Sequence, residues 1–219
     1  MKKKTKALLL ASSAVVLVAG SVLGTLAFLT DRENVVNVFT IGKVDITLDE
    51  TDVDGDDNTK KNAYRLVPGE EYVKDPTITV VAGSEEAYIR MLVTVHNWSV
   101  AKPLIFDSVP YEALGGYDAA KWEYVDTTPV KNEAKGEDYA VIEYRYYQTE
   151  DALDSTADKA LPALFTTLKI PGELSGTELQ ALYDGGFEMV IQGHAIQAAG
   201  FTNADEAWAA FDAQNAAGE

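Results

Sequence analysis

The strongest constraint on the fold is an alternation of apolar and polar side chains, clearest in the stretch AYIRMLVTVH at residues 87–96. Ile89, Met91, Val93 and Val95 fall on one side of an extended chain, and mostly polar residues fall on the other. A period of two residues is typical of a strand with one buried face and one exposed face. The pattern, continued through NWSV, predicts a long half-buried strand.

Other runs rich in β-branched and aromatic residues extend this pattern along the chain. They are VVNVFTIGKVDITLDE, EDYAVIEYRYYQTE, ALFTTLKIPGE and GGFEMVIQGHAIQAAGF. Glycine and proline turn signals separate them, in VPGEE, LGGYD and DGGF. The spacing predicts several short strands joined by turns.

Two short helices are predicted among the strands. In SGTELQALYDGG, Leu179 and Leu182 share one side, and Gly185 is a natural C-terminal stop. In TNADEAWAAFDAQNAAG, Asn203 is a candidate N-cap with Glu206 three residues later. The predicted class is therefore all-β, a jelly-roll-like or immunoglobulin-like β-sandwich with two short helices.

The N-terminus has the form of a targeting segment. Four lysines among the first six residues precede a run of 23 uncharged residues, which is long enough to span a bilayer as a retained anchor. Thr25 and Ala27, however, place small residues at the −3 and −1 positions that signal peptidases accept, with Phe28 next. We predict a signal peptide at residues 1–27 and a secreted domain at residues 28–219.

The charge balance narrows the range of partners. After removal of the predicted signal peptide, 14 basic residues remain against 35 acidic ones. Nucleic acids and anionic membrane surfaces need a basic patch, so neither is expected as a partner of the mature protein. The chain has no cysteine, which excludes thiolate chemistry and suits the exterior of a Gram-positive-type cell.

The sequence offers no recognisable catalytic motif. Its two histidines, His96 and His194, both fall in predicted strands, and no HExxH, G-x-S-x-G or Walker sequence is present. A zinc site made from the two histidines and a distant carboxylate is conceivable, but their spacing does not require one. No cofactor is expected, with calcium as the one candidate.

That candidate is the acidic stretch DVDGDDN. Asp52, Asp54, Asp56 and Asn58 place oxygen ligands at alternating positions, as hard cations require. The match to an EF-hand loop is poor, because the glycine is fourth in the stretch and the twelfth position is Ala63. The stretch is either a weak calcium site or a solvated acidic loop, and the sequence leaves both interpretations open.

Three stretches together resemble the TasA/camelysin family of secreted proteins from Gram-positive bacteria. They are GTLAFLTDRENVVNVFTIGKVDITL, LVPGEEYVKDPTITVVAGSEEAYIRMLVTV and FEMVIQGHAIQAAGFTNADEAWAAF. The resemblance implies a jelly-roll-like sandwich and a precursor held in the membrane until a SipW-type signal peptidase cuts it. It also implies a place in the extracellular matrix or at the cell surface.

TasA-like members assemble into biofilm fibres in which the N-terminal segment of one subunit completes a sheet of the next. The resemblance therefore implies self-association, or association with other matrix proteins, through a donor strand at residues 28–39. Its apolar, β-prone part is Val35, Val36, Val38 and Phe39. Strand addition of this kind satisfies an open sheet edge, although the segment could equally pair within its own subunit.

Two other functions are compatible with the sequence. Some camelysin-like members are described as metallopeptidases, but no zinc motif or catalytic residue transfers to this chain. A surface adhesin or calcium-dependent binding module is the second alternative.

Overall fold

The computed structural model describes residues 43–53, 55, 63–108, 111–149 and 156–216. Within these ranges the chain forms ten strands and three helices. The strands are β1 (Ile46–Asp49), β2 (Glu71–Val73), β3 (Thr77–Val80), β4 (Ala87–His96), β5 (Leu114–Gly115), β6 (Trp122–Asn132), β7 (Glu137–Tyr146), β8 (Lys159–Ala160), β9 (Thr167–Lys169) and β10 (Met189–Gln197). The helices are α1 (Trp98–Ile105), α2 (Gly176–Asp184) and α3 (Ala204–Ala216).

The long strands form a four-stranded antiparallel sheet, here called the central sheet, in the order β10-β4-β7-β6. Val93 of β4 lies opposite Ile142 of β7 and Ile191 of β10. The four alternating apolar residues of β4 are each 1% exposed or less. The predicted strand and its buried face are thereby confirmed.

Two three-stranded antiparallel sheets, β1-β3-β8 and β2-β9-β5, supply the other side of the core. Ile78 and Val80 of β3, with Leu168 of β9, join the inner face of the central sheet in one apolar cluster. Full burial of each such side chain contributes about 1.5–3 kcal/mol. The arrangement is sandwich-like, and apolar burial holds its sheets together.

The predicted fold class is confirmed in part: the described residues are mostly β and form antiparallel sheets, but with three helices where two were expected the fold is not all-β. The unpredicted helix α1 begins in NWSV, where the alternation predicted more strand. Asn97 turns the chain there with a left-handed φ of 57°, and Asp138 then accepts hydrogen bonds from the N–H and hydroxyl of Ser99. Trp98, Ala101 and Ile105 bury one face of α1.

Both predicted helices are confirmed. Helix α2 begins with Ser175 and Glu178 bonded reciprocally as a capping box, and it ends at Gly185 as predicted. At the start of α3, the Asn203 side chain accepts a hydrogen bond of 3.0 Å from the Glu206 N–H, so the predicted N-cap is present.

Strand β6 has no counterpart among the sequence predictions, since it contains Pro129 and alternates weakly. Proline has no backbone N–H, and an interior strand uses its N–H groups to bond to the strands on both of its sides. β6 tolerates it because β6 is an edge strand of the central sheet.

Asn97 also links two elements, and its replacement tests that link. Its side-chain amide donates to the carbonyls of Ala181 (3.1 Å) and Leu182 (3.3 Å) at the end of α2. Asn97→Ala should lower the free energy of unfolding by about 1–3 kcal/mol for the lost hydrogen bonds, and by a further ~1 kcal/mol for the left-handed backbone. Asn97→Gly should avoid the backbone part. Denaturant unfolding of the parent and the two variants measures the hydrogen-bond and the backbone contributions. Equal stabilities of the three proteins would contradict the link.

Candidate functional site

A cleft of about 1230 Å³ opens along one edge of the central sheet. Its walls come from strand β10, strand β1, the segment at residues 64–66 and helix α2. The apolar side chains that line it include Leu48, Leu66, Leu168, Leu179, Phe187, Met189 and Ile191. A concave apolar surface of this size is a natural place for binding.

The hydrogen-bond register of β10 shows which of its backbone groups face the cleft. The His96 N–H donates to the Glu188 carbonyl, and the Ala198 N–H donates to the Glu86 carbonyl. Hydrogen-bonded and non-bonded pairs alternate along an antiparallel ladder. The even-numbered residues of β10 therefore bond to β4, and the odd-numbered residues turn their N–H and C=O groups away from it.

Met189 and Ile191 are the odd-numbered residues that line the cleft. In the part of the chain that the structure describes, β10 pairs only with β4, so the outward backbone groups of these two residues lack a ladder partner. An edge strand with unpaired backbone groups is a template for another strand. The cleft thus combines apolar walls with an open ladder.

Two residues beyond Ile191, β10 contacts the sheet that contains β1 and β3. A Cβ atom at Gly193 would lie 3.0 Å from Ile78 Cδ1 and 3.6 Å from Leu48 Cβ. A side chain at this position would therefore require Ile78 to shift. The part of β10 that lines the cleft runs from Met189 to Ile191.

One ion pair lies among the apolar walls. Lys74 is 8% exposed, and its Nζ donates to both carboxylate oxygens of Glu50, at 2.8 and 2.9 Å. At the rim, Tyr183 is 80% exposed and Val190 is 38% exposed. The arrangement suits an extended peptide, whose backbone would pair with β10 and whose side chains would enter the cleft.

The two histidines do not meet. Both lie on the outer face of the central sheet, but His194 is opposite Arg90, six residues from His96 along β4. That separation is about 20 Å. Among the described residues there is no group of three or more His, Cys, Asp or Glu side chains that could hold a metal ion. The conceivable two-histidine zinc site is not formed.

The candidate calcium residues are only partly described. Asp52 Oδ1 accepts a hydrogen bond of 2.8 Å from the Gly55 N–H, which closes a local turn. Asp54, Asp56 and Asn58 lie outside the described residues. Calcium binding stays a prediction.

The predicted N-terminal features also lie outside the described residues. These are the cleavage residues Thr25, Ala27 and Phe28 and the donor-strand residues Val35, Val36, Val38 and Phe39. No helix within the described ranges is both long and apolar enough to cross a membrane.

The cleft residues were not among the sequence predictions. The alternation of Phe187, Met189 and Ile191 indicated a strand, but whether a strand lies at an edge depends on its neighbours in space. The nearest available signal was the absence of lysine and proline from MVIQGHAIQ, since neither a charge nor a missing donor guards that edge.

No protein-family model, curated protein or solved structure matches the chain. The resemblance to the TasA/camelysin family rests on the quoted sequence stretches.

Exchange of Lys74 tests whether the ion pair maintains the cleft. Lys74→Met should lower the free energy of unfolding by about 1.5–3 kcal/mol, because it removes the charge-assisted hydrogen bonds that Lys74 donates to Glu50. The double variant Lys74→Met/Glu50→Leu should recover most of that loss. Urea unfolding of the two variants and the parent measures the coupling, and a double variant no more stable than Lys74→Met would refute it.

Proposed function

We propose that this protein is a secreted fibre subunit of the TasA/camelysin type that assembles by β-strand addition. The observation that carries the proposal is the open edge of β10, where Met189 and Ile191 turn backbone groups into an apolar cleft. A long edge strand without a guard is a hazard for a secreted protein unless a partner covers it. The partner proposed here is a strand from a second copy.

The donor is the segment at residues 28–39. An incoming strand would bond to the outward N–H and C=O groups of Met189 and Ile191, and those bonds would supply affinity. Its alternate side chains would enter the cleft and supply specificity. Val35, Val36, Val38 and Phe39 have the β-propensity and the apolar surface that this role requires.

Processing would control the availability of the donor. In this proposal the precursor stays in the membrane by its first 27 residues until a SipW-type signal peptidase cuts after Ala27. The cut leaves Phe28 at the head of the donor segment. Processing and assembly would then be coupled, and the product would reside in the extracellular matrix. The proposed architecture is a jelly-roll-like sandwich.

The acidic surface has a consequence for assembly. Subunits with 35 acidic residues and far fewer basic ones repel one another at low ionic strength. Strand addition must offset this repulsion, so salt should favour the polymer by screening it.

Deletion of the donor tests the proposal directly. A mature form that begins at residue 40 should remain folded and monomeric and should form no filaments, because it has lost the strand that covers β10 of its neighbour. Electron microscopy and size-exclusion chromatography give the outcome, and circular dichroism checks the fold. A synthetic peptide of residues 28–39 should bind to the truncated form. Filaments made by the truncated form would exclude a donor strand in this segment.

A second test addresses the acceptor edge. Met189→Pro removes a backbone N–H that points into the cleft. Met189 is the first residue of β10 and its N–H does not bond to β4, so the proline leaves the hydrogen bonds between β10 and β4 intact. Met189→Ala removes the same side chain but keeps the N–H, so it is the matched control. We expect the proline variant to lose filament formation and the alanine variant to retain it.

Light scattering and electron microscopy measure polymer formation by the two variants under the same conditions. Equal polymerisation of the proline and alanine variants would show that the β10 edge is not the acceptor.

A further inference from the structure

Helix α3 lies on the outer face of the central sheet around a buried arginine. Arg90, on β4, is 3% exposed. Its guanidinium carbon lies 4.4 Å from the ring centroid of Trp208 and 5.1 Å from that of Phe211, and both rings belong to α3. A desolvated cation over aromatic rings is attracted by the negative faces of the rings. The guanidinium group of Arg90 thus packs against the aromatic rings of α3 and attaches the helix to the sheet.

Ion pairs complete the attachment. Asp212 of α3 accepts hydrogen bonds from both terminal nitrogens of Arg90, one of them at 3.1 Å. About two turns closer to the start of α3, Asp205 accepts a hydrogen bond from Arg145 of β7. Glu143 lies between the two arginines, 2.6 Å from Arg145 Nε and 3.8 Å from Arg90 Nη1.

His194 on β10 is the imidazole of this cluster. Its Nδ1 accepts a hydrogen bond of 3.2 Å from Arg90 Nε, and its ring lies 4.9 Å from the ring of Phe211. An imidazolium has no acceptor nitrogen, because both ring nitrogens then carry protons. The observed contact therefore requires neutral His194.

The attachment of α3 is separate from the main core. Ala207 and Trp208 are the buried residues of α3, and neither belongs to the apolar cluster between the sheets. The residues at 198–203 connect α3 to β10. Local opening of such a segment does not require the rest of the molecule to unfold.

We propose that α3 is a pH-sensitive strap, docked on the central sheet while His194 is neutral and released when His194 is protonated. Release would uncover Trp208 and Phe211 on the helix and the outer side of β4 and β10 on the sheet. This device is independent of the β10 edge and of the proposed function.

The charged groups around His194 determine the direction of the effect. Arg90 acts on it from β4, Glu143 from β7 and Asp212 from α3, and the Arg145–Asp205 pair joins β7 to α3 beside them. Burial, followed by the positive charge of Arg90, lowers the pKa of His194 below its ordinary 6.5, although Asp212 and Glu143 act in the opposite sense. Hydrogen bonds from Arg90 lower the pKa of Asp212, so this carboxylate stays ionised while His194 titrates.

The sign of the pH dependence follows from linkage. A histidine whose pKa is lower in the docked state binds its proton more readily after release. Its contribution to docking is complete above pH 6.5 and is lost as the pH falls through the lowered value. Between 6.5 and the lowered value, each pH unit weakens docking by up to about tenfold, and below the lowered value docking weakens no further, because both states then carry the proton.

Hydrogen exchange on the full chain tests the strap. Amide protection in α3 should fall relative to β4 as the pH is lowered from 7.5 to 5, by up to about tenfold for each pH unit below 6.5, after correction for intrinsic rates. His194→Gln keeps an acceptor for Arg90 and does not titrate, so its α3 protection should be independent of pH. His96→Gln is the matched control and should behave as the parent.

A titration of the parent protein does not depend on the variants being well folded. NMR follows the imidazole of His194, and because the chain has two histidines, a spectrum of His96→Gln assigns the signal. The midpoint for loss of α3 protection should coincide with that of His194. A strap that stays protected through the His194 titration, or that opens equally in His194→Gln, would overturn the proposal.

Discussion

Strand β4 is the element on which the rest of the structure depends, because it is paired on both sides and packed on both faces. β7 and β10 hydrogen-bond to its two edges. Its inner face, at Ile89, Met91, Val93 and Val95, contacts the core shared with the smaller sheets. Its outer face carries Arg90, which holds α3. The alternation of side chains within these ten residues therefore supports both the core and the attachment of α3.

That alternation explains how much of the fold could be predicted from sequence. Local signals identified β4, β10 and helices α2 and α3, since periodicity and capping residues act within a few positions of the chain. They failed at α1, where one left-handed residue, Asn97, ends the strand although the apolar pattern continues. They also failed at β6, whose Pro129 is acceptable only at an edge. The cleft could not be predicted, because it depends on which strands lie side by side.

The two edges of the central sheet differ in a way that bears on assembly. β6 carries Pro129 and Lys131 along its length, and both residues discourage pairing with another chain. β10 has neither residue type. A subunit with one guarded edge and one accepting edge favours head-to-tail contacts, which do not close on themselves and therefore extend. This asymmetry supports a linear polymer over a symmetric dimer.

The close approach at Gly193 has a consequence for the accuracy of such a polymer. Because the sheet that contains β1 and β3 packs closely against β10 at Gly193, an entering strand that pairs beside Met189 and Ile191 would reach this contact just beyond the cleft lining. A strand ladder without a stop can slip by two residues and still keep its faces. The glycine contact would make one depth of insertion preferable to the others, so every joint in a long filament would repeat the same geometry.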